Sequence, residues 1–175
     1  MSARERVPRG EHDAQAAPLP TIRYRPADLT DVPRLVGLPR PGEAGGDPRM
    51  LRYLAGEHHP RQALPPRVMW MAEEDADPVG YAAGHLTRRL GCDGELQWIY
   101  VVRRCRRAGV GAELLRRVAL WSLDQGASRI CVDVGDEEAR SFYRRLGATD
   151  LSPHWMVWEH AGALAARAAR LGRAG

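Results

Sequence analysis

A glycine- and arginine-rich segment near the middle of the chain holds residue types that bind anions. Gly109 and Gly111 stand between an apolar run that ends at Val102 and a stretch with helical periodicity. Glycine lets a backbone approach a ligand closely, and the first amides of a helix have no partner within that helix. Such a turn can bind phosphate or pyrophosphate. Four cations surround the turn and favour the same chemistry: Arg103, Arg104, Arg106 and Arg107.

The spacing of these glycines separates several interpretations. Two glycines alone fit a tight strand-to-helix turn with solvated arginines equally well. A P-loop requires a lysine, and the sequence contains none. A dinucleotide-binding motif requires a third glycine at position 114, where the chain has Leu114.

A second segment with chemical interest begins at Asp136. The Asp136 side chain can cap a helix, and Glu137 and Glu138 are favourable beside the positive end of the helix dipole. Gly147 is the expected end of this helix. Apolar residues at helical spacing predict its buried face: Ala139, Phe142, Tyr143 and Leu146.

The two segments together resemble motifs of the GNAT N-acetyltransferase superfamily. Arg106 to Gly111 matches the family's acetyl-CoA motif, which reads Arg or Gln, two residues, Gly, one residue, then Gly or Ala. Ile99-Tyr100-Val101 matches the hydrophobic strand before it. A second motif, Asn-x-x-Ala-x-x-Phe-Tyr-x-x-x-Gly-Phe, is matched from Asp136 to Gly147, with Asp for Asn and Ala148 for the final Phe. The resemblance extends from Thr21 to about Glu159.

The resemblance implies that acetyl-CoA is the acetyl donor. The amides from Arg107 to Gly111 would hold its pyrophosphate, and the Ile99 to Val101 strand would pair with the pantetheine arm. Tyr143 corresponds to the family tyrosine that protonates the departing CoA thiolate, although a tyrosine here also fits a core-anchoring role. Arg103 and Arg104 either contact the 3′-phosphate or remain in solvent. The residues expected at the cofactor are Ile99, Tyr100, Val101, Arg106, Arg107, Ala108, Gly109, Val110, Gly111, Asp136, Ala139 and Phe142.

The same resemblance implies a carboxylate base on the strand before the glycine turn. Glu95 occupies that position, and we expect it to act directly or through a water. A solvent-exposed strand end is the alternative interpretation of Glu95. Asp93, Asp133, His85 and the absence of any protein base remain alternatives for the base itself. The Val101 amide is expected to stabilise the developing oxyanion.

The acceptor side is less defined by the sequence. In this family the first two helices and the loops around the last two strands shape the acceptor pocket. The candidates in those segments, each of which also fits ordinary packing, are Glu57, His58, His59, Trp98, His154 and Trp155. Acidic Asp93, Glu95 and Asp133 would favour a cationic amine.

A mixed α/β framework is predicted to position these residues. The predicted order is a strand at 21–25, two helices, strands at 68–72, 79–87 and 95–102, a helix, a strand at 129–134, a helix and a strand at 155–159. The second helix must end by Pro60, and Ala161 to Ala174 forms a terminal helix. The continuous apolar run from Arg129 to Val134 favours a strand parallel to its neighbour. We therefore expect an α/β (α+β) fold: a single mixed, mostly antiparallel central sheet of about six to seven strands, flanked by helices as in GNAT proteins.

Length and composition constrain the domain organisation, the partners and the localisation of the protein. The 175 residues predict a flexible tail over 1–20, one GNAT-like acetyltransferase domain over 21–160 and a C-terminal helix or tail over 161–175. The net charge of +4 is a weak bias, so we expect no nucleic-acid partner. Cys92, Cys105 and Cys131 lack zinc-like spacing, which predicts free thiols in a reducing cytosol and no metal. No apolar run approaches the ~18 residues of a membrane span. The sequence is compatible with either a monomer or a homodimer.

The expected function is that of a bacterial, cytoplasmic N-acetyltransferase. It would move an acetyl group from acetyl-CoA to a primary amine, on a small molecule or a peptide, by direct attack in a ternary complex. One alternative is a non-catalytic sensor or regulatory module that binds acyl-CoA. Another is a toxin-type acetyltransferase that acts on aminoacyl-tRNA.

Overall fold

The structure is a computed structural model that describes residues 21–38 and 49–172. The predicted N-terminal tail, the Pro/Gly-rich loop at 39–48 and the last residues of the predicted terminal helix lie outside these ranges. The strands are β1 (Ile22–Pro26), β2 (Ala63–Glu74), β3 (Asp77–Thr87), β4 (Gly94–Val101), β5 (Ile130–Asp133), β6 (Thr149–Ser152) and β7 (Trp155–Trp158). The helices are α1 (Val32–Val36), α2 (Arg49–Leu54), α3 (Val110–Asp124), α4 (Glu137–Arg145) and α5 (Ala161–Leu171).

The strands form one seven-stranded sheet in the order β1-β2-β3-β4-β5-β7-β6. Every neighbouring pair is antiparallel except β4 and β5, which are parallel and joined by the crossover helix α3. Ile130, Cys131 and Val132 of β5 are all buried, which explains why this strand is a continuous apolar run. The predicted mixed, mostly antiparallel sheet flanked by helices is confirmed.

Helices cover both faces of the sheet. A Cβ at Gly84 would lie 2.9 Å from Val118 Cγ1, so the glycine lets α3 approach β3 closely on one face. The next side chain along β3, His85, points to the opposite face, where it contacts Tyr53 of α2. Helix α5 packs on the outside of α3 and buries Leu164 and Ala168.

The structure departs from the predicted elements at two places. Strand β6 was not predicted, because its sequence Thr-Asp-Leu-Ser is polar and it lies half-exposed at the sheet edge. The chain after Asp28 first forms a 3₁₀ turn, Leu29–Asp31, before α1. Helix α2 ends at Leu54, before Pro60 as predicted, and Gly56, with φ of +79°, turns the chain away.

Candidate active site

Strands β4 and β5 separate part-way along their length. They pair only through Gly94–Ile130, Glu95–Cys131 and Leu96–Val132. On the other side of β4, Trp98 pairs with Ala83 and Leu96 pairs with Gly84, so Gln97 is the extra residue of a bulge. Beyond the bulge, β4 continues to Val101 with no β5 partner among the described residues, and the two strands leave an opening between them.

The register of β4 decides which backbone groups face this opening. The Val102 amide donates to the Val79 carbonyl oxygen at 2.9 Å. Every second residue before it, including Tyr100, therefore directs its backbone groups to β3. Ile99 and Val101 direct theirs the other way, into the opening, where an extended ligand could add as a strand does.

The glycine turn presents a set of unpaired amides at the end of this opening. Arg107 and Gly109 both have left-handed backbones, with φ of +64° and +78°, and α3 begins at Val110. Within the ranges the structure covers, the amides from Arg107 to Gly111 donate to no protein acceptor. The first helical hydrogen bond of α3 runs from the Glu113 amide to the Gly109 carbonyl oxygen. This arrangement of free amides at a helix start suits an anion.

Close packing surrounds both glycines of the turn. A Cβ at Gly109 would lie 2.9 Å from the Cα of Gly172, at the end of α5, so there is no room for a side chain. A Cβ at Gly111 would lie 3.4 Å from Phe142 Cζ, which places Phe142 of α4 directly beside the start of α3. The turn is therefore held between α4 and α5.

The arginines around the turn have different surroundings. Arg106 donates from Nε to the Val101 carbonyl oxygen at 3.1 Å and lies 3.8 Å from the Glu138 carboxylate. Arg104 pairs with Glu74 at 2.7 Å, which directs it toward β2 and away from the turn. Arg103 and Arg107 are exposed and form no ion pair in the part of the chain the structure describes.

Helix α4 supplies Tyr143, which is buried in the core beside Phe142. Its ring packs edge-on against Trp158, with ring centres 5.4 Å apart. Burial, followed by the charges of Asp136 and Asp133, raises the pKa of Tyr143, so the phenol stays protonated across the neutral range. The Asp136 carboxylate accepts the Ala139 amide at 2.7 Å, which confirms the predicted cap of α4.

A cavity of about 380 Å³ lies where β4 and β5 separate. Its lining combines aromatic, apolar and charged side chains: Pro60, Arg89, Glu95, Leu96, Gln97, Trp98, Asp133, Gly135 and Trp155. Of the candidates for the acceptor side, it includes Trp98 and Trp155. Glu57 and His154 do not line it, and Arg67 holds the loop of His58 and His59 through the His58 carbonyl oxygen at 2.8 Å.

Glu95 is only 6% exposed and is surrounded by donors. Arg89 donates from Nε to Glu95 Oε2 at 2.9 Å, and Thr87 Oγ1 lies 3.4 Å from the same oxygen. Burial raises the pKa of Glu95, but the interactions with His85 and Arg89 together outweigh it, so its pKa lies below the usual value. The carboxylate is therefore ionised at neutral pH.

The alternatives to Glu95 occupy different positions. His85 is fully buried behind Glu95, with Nε2 3.6 Å from Glu95 Oε2 and Nδ1 3.1 Å from the Tyr53 hydroxyl. The Asp93 carboxylate accepts the Ser128 and Arg129 amides at 3.1 and 2.9 Å and lies away from the cavity. Asp133 lines the cavity and is exposed.

Sequence reasoning missed Arg89 and Gln97. Arg89 comes from a 3₁₀ turn between β3 and β4, and only the hairpin brings it against Glu95. Its one signal in the sequence is a cation six positions before the expected base. The bulge at Gln97 has no marker in the sequence, because Gln-Trp continues an ordinary strand pattern.

Other kinds of site find no support in the described ranges. No group of three His, Cys, Asp or Glu side chains there could hold a metal ion. No helix there is long and apolar enough to cross a membrane. All three cysteines carry free, buried thiols.

Comparisons with known proteins agree with this geometry. The model of the Acetyltransferase (GNAT) family matches residues 39–148. An acetyltransferase from Thermus thermophilus superposes with a TM-score of 0.58 at 22% identity, over 79% of this chain and 96% of that one. PaiA N-acetyltransferase from Thermoplasma acidophilum, in complex with coenzyme A, gives 0.58 at 15% identity, over 78% and 98%.

A third similar structure is AAC(6')-Iy in complex with the bisubstrate analogue CoA-S-monomethyl-acetylneamine. Its TM-score is 0.60 at 19% identity, over 75% of this chain and 93% of that one. At these identities the structural likeness establishes the fold alone. No curated protein sequence matches the chain significantly.

Proposed function

Because this chain belongs to the GNAT family of acetyltransferases, we propose that it transfers an acetyl group from acetyl-CoA to a primary amine in a ternary complex. The opening between β4 and β5 carries the proposal. Unpaired amides of the glycine turn follow β4 at one end of it, and the cavity lined by Glu95 lies where the two strands separate. The buried Tyr143 adjoins Phe142, which lies beside Gly111 of the turn. A similar protein that contains coenzyme A supports the same donor.

The donor would be held mainly by backbone groups. In this proposal the amides from Arg107 to Gly111, including those of Ala108 and Val110, bind the pyrophosphate. The backbone groups of Ile99 bind the pantetheine arm, the Val101 amide faces the acetyl carbonyl, and Tyr100 supports both from the β3 side. Arg106 fixes the end of the strand through the Val101 carbonyl oxygen. Asp136, Ala139 and Phe142 hold the start of α4 against the same turn.

The transfer needs a proton acceptor, an oxyanion donor and a proton donor. A protonated amine first loses one proton to Glu95, directly or through a water, and Glu95 passes it to solvent. The neutral nitrogen then bonds to the acetyl carbon and loses its second proton by the same route. The Val101 amide stabilises the negative charge on the carbonyl oxygen. As the carbon–sulfur bond breaks, the Tyr143 hydroxyl gives its proton to the departing thiolate and recovers one from solvent.

The low pKa of Glu95 shapes its part in this scheme. A carboxylate paired with Arg89 is ready to accept a proton at neutral pH, but holds that proton weakly. Glu95 therefore passes the proton on to solvent through the cavity rather than storing it. The acid limb of the activity profile is expected below the usual range for a glutamate.

The experiment that tests this proposal measures CoA release with acetyl-CoA and a panel of primary amines. Replacing Tyr143 by Phe removes the acid and keeps the ring packing on Trp158, so we expect kcat to fall about 100-fold with an unchanged melting temperature. Tyr24→Phe is the matched control, since Tyr24 lies on β1 and does not line the cavity. Equal turnover by wild type and Y143F would refute the role of Tyr143.

One observation favours a second candidate function, an acyl-CoA-binding module without turnover. Glu95, the expected base, is already engaged by Arg89 at 2.9 Å. If acetyl-CoA raises the melting temperature while no amine in the panel releases CoA, this second function replaces the first.

A further inference from the structure

The charges that line the cavity show which acidic group is available to a substrate. Three acids near the site favour a cationic acceptor by sequence: Asp93, Glu95 and Asp133. Asp93 accepts two backbone amides and does not line the cavity. Only Glu95 and Asp133 therefore bring negative charge to the cavity wall among the residues the structure describes.

Glu95 has its charge balanced by Arg89. The two side chains are 6% and 19% exposed, and their ion pair is 2.9 Å long. The Arg89 guanidinium is also fixed on its other side, because it lies 4.7 Å from the centre of the Trp155 ring and donates to the Arg61 carbonyl oxygen. Arg89 cannot turn away from Glu95 without losing these contacts. The pair therefore adds no net charge to the cavity.

Asp133 has no such partner. It is the last residue of β5, at the point where β5 has separated from β4. In residues 21–38 and 49–172 no arginine or histidine nitrogen lies within ion-pair distance of its carboxylate. Its charge nevertheless reaches Tyr143, where, after burial and Asp136, it helps to raise the pKa of the phenol. Asp133 is therefore an exposed, uncompensated negative charge on the cavity wall.

We propose that Asp133 selects the acceptor by binding its ammonium group, so that the protein prefers primary amines that are cationic at neutral pH. This rests on the proposed function, because it assigns the cavity to the acceptor. Trp98, Trp155 and Pro60 line the same cavity and offer apolar surface to the rest of the acceptor molecule. A single uncompensated carboxylate beside such walls favours one cation over a neutral molecule of equal shape.

Two isomeric amines test the inference directly. Benzylamine and 4-methylaniline contain the same atoms, but at neutral pH benzylamine is protonated and 4-methylaniline is not. Binding of each is measured by calorimetry to the full-length protein without acetyl-CoA. We expect wild type to bind benzylamine about tenfold more tightly, Asp133→Asn to remove this difference, and Asp133→Glu to restore most of it. Affinity for 4-methylaniline should change less than twofold in all three proteins.

Asp124→Asn is the matched control. Asp124 is also an exposed aspartate, but it ends α3 and does not line the cavity. The inference is overturned if wild type does not prefer benzylamine, or if D133N keeps the preference at an unchanged melting temperature. It is also overturned if D124N loses the preference to the same extent as D133N.

Because calorimetry needs no turnover, this result is independent of the CoA-release assay. If amines release CoA but D133N binds benzylamine normally, the transferase proposal stands and the role of Asp133 fails. If D133N loses benzylamine binding and no amine releases CoA, the cation site stands and the transferase proposal fails. Where both hold, D133N should raise KM for cationic amines about tenfold, and this change in KM should be larger than the change in kcat.

Discussion

At the scale of single residues, the site depends on how one buried carboxylate is kept charged. A carboxylate as buried as that of Glu95 is stable only with donors around it. Arg89 provides the closest donor, and His85 and Thr87 lie nearby. Removing a donor should therefore change the proton affinity of Glu95 more than its position.

The pH profile of an Arg89→Met variant tests this view. In wild type the pKa of Glu95 lies below its usual value, so the carboxylate becomes protonated at a lower pH than an ordinary glutamate does. Without the guanidinium, burial dominates and the pKa rises. We expect the acid limb of kcat/KM to move upward by about one pH unit or more.

The neighbouring Arg88→Met variant is the control for this measurement, since Arg88 is exposed and does not line the cavity. An acid limb that stays in place in R89M would show that Glu95 does not limit activity at low pH.

Sequence reasoning at this scale identified residue types better than their partners. Glu95 and Tyr143 were named from motif positions; Glu95 lines the cavity, whereas Tyr143 is buried on α4 and does not line it. Arg89 was missed, because its pairing arises from the turn between two strands and not from a spacing within one element. Arg89 balances the charge of Glu95, which leaves Asp133 as the uncompensated carboxylate of the cavity wall. This difference follows only from the Arg89–Glu95 pairing.

At the scale of elements, the glycine turn joins three helices. Gly109 has a left-handed backbone and touches Gly172 at the end of α5, while Gly111 touches Phe142 of α4. The turn is the N-terminus of α3. Its shape therefore depends on packing as well as on the local flexibility of glycine.

A Gly109→Ala variant, compared with the same substitution at Gly126, distinguishes the effect of close packing from that of backbone strain. The new Cβ would lie 2.9 Å from Gly172 Cα, which must displace the turn or the end of α5. We expect the affinity for acetyl-CoA, measured by calorimetry, to fall about tenfold or more.

Gly126→Ala is a closely matched control. Gly126 has φ of +79°, nearly that of Gly109, but a Cβ there would meet nothing within 4 Å. Both variants carry a left-handed alanine, at a cost of about 1–2 kcal/mol in stability. If G126A weakens acetyl-CoA binding as much as G109A, the contact with Gly172 has no specific effect.

The elements that the sequence predicted best have strong local signals. Helices α3 and α4 have clear apolar periodicity, and α4 also has the Asp136 cap. The parallel strand β5 was recognised from its continuous apolar run. The bulge at Gln97 and the edge strand β6 could not be predicted, because both are set by pairing with a distant neighbour.

At the scale of the whole molecule, an ion-pair network stabilises the packing of β1 against β2 and the start of α1. Arg25 of β1 lies 2.6 Å from Asp31, just before α1, and 3.0 Å from Glu73 of β2. Asp31 and Glu73 are 4% and 5% exposed. Hydrogen bonds from Arg25 hold the pKa of both carboxyls below their usual values.

Urea denaturation at several pH values tests this network. Because both pKa values are depressed in the folded state, their contribution to stability is present at neutral pH and is lost as the pH falls through the folded pKa values. We expect Arg25→Met to lower the free energy of unfolding at neutral pH by about 2 kcal/mol and to weaken its dependence on pH in the acid range.

Arg23→Met is the control, because Arg23 is an exposed arginine of the same strand. Equal unfolding free energies for wild type and R25M at neutral pH would show that β1 is held by its strand pairing alone.

The contact between Gly172 and Gly109 links the last helix to the glycine turn. The end of a helix frays, and its amides then exchange with deuterium from the solvent. If acetyl-CoA binds to the turn amides as proposed, it fixes Gly109 and, through it, the last turn of α5. Adding acetyl-CoA is therefore expected to lower deuterium uptake at Leu171 and Gly172, in a helix whose side chains do not line the cavity at Glu95.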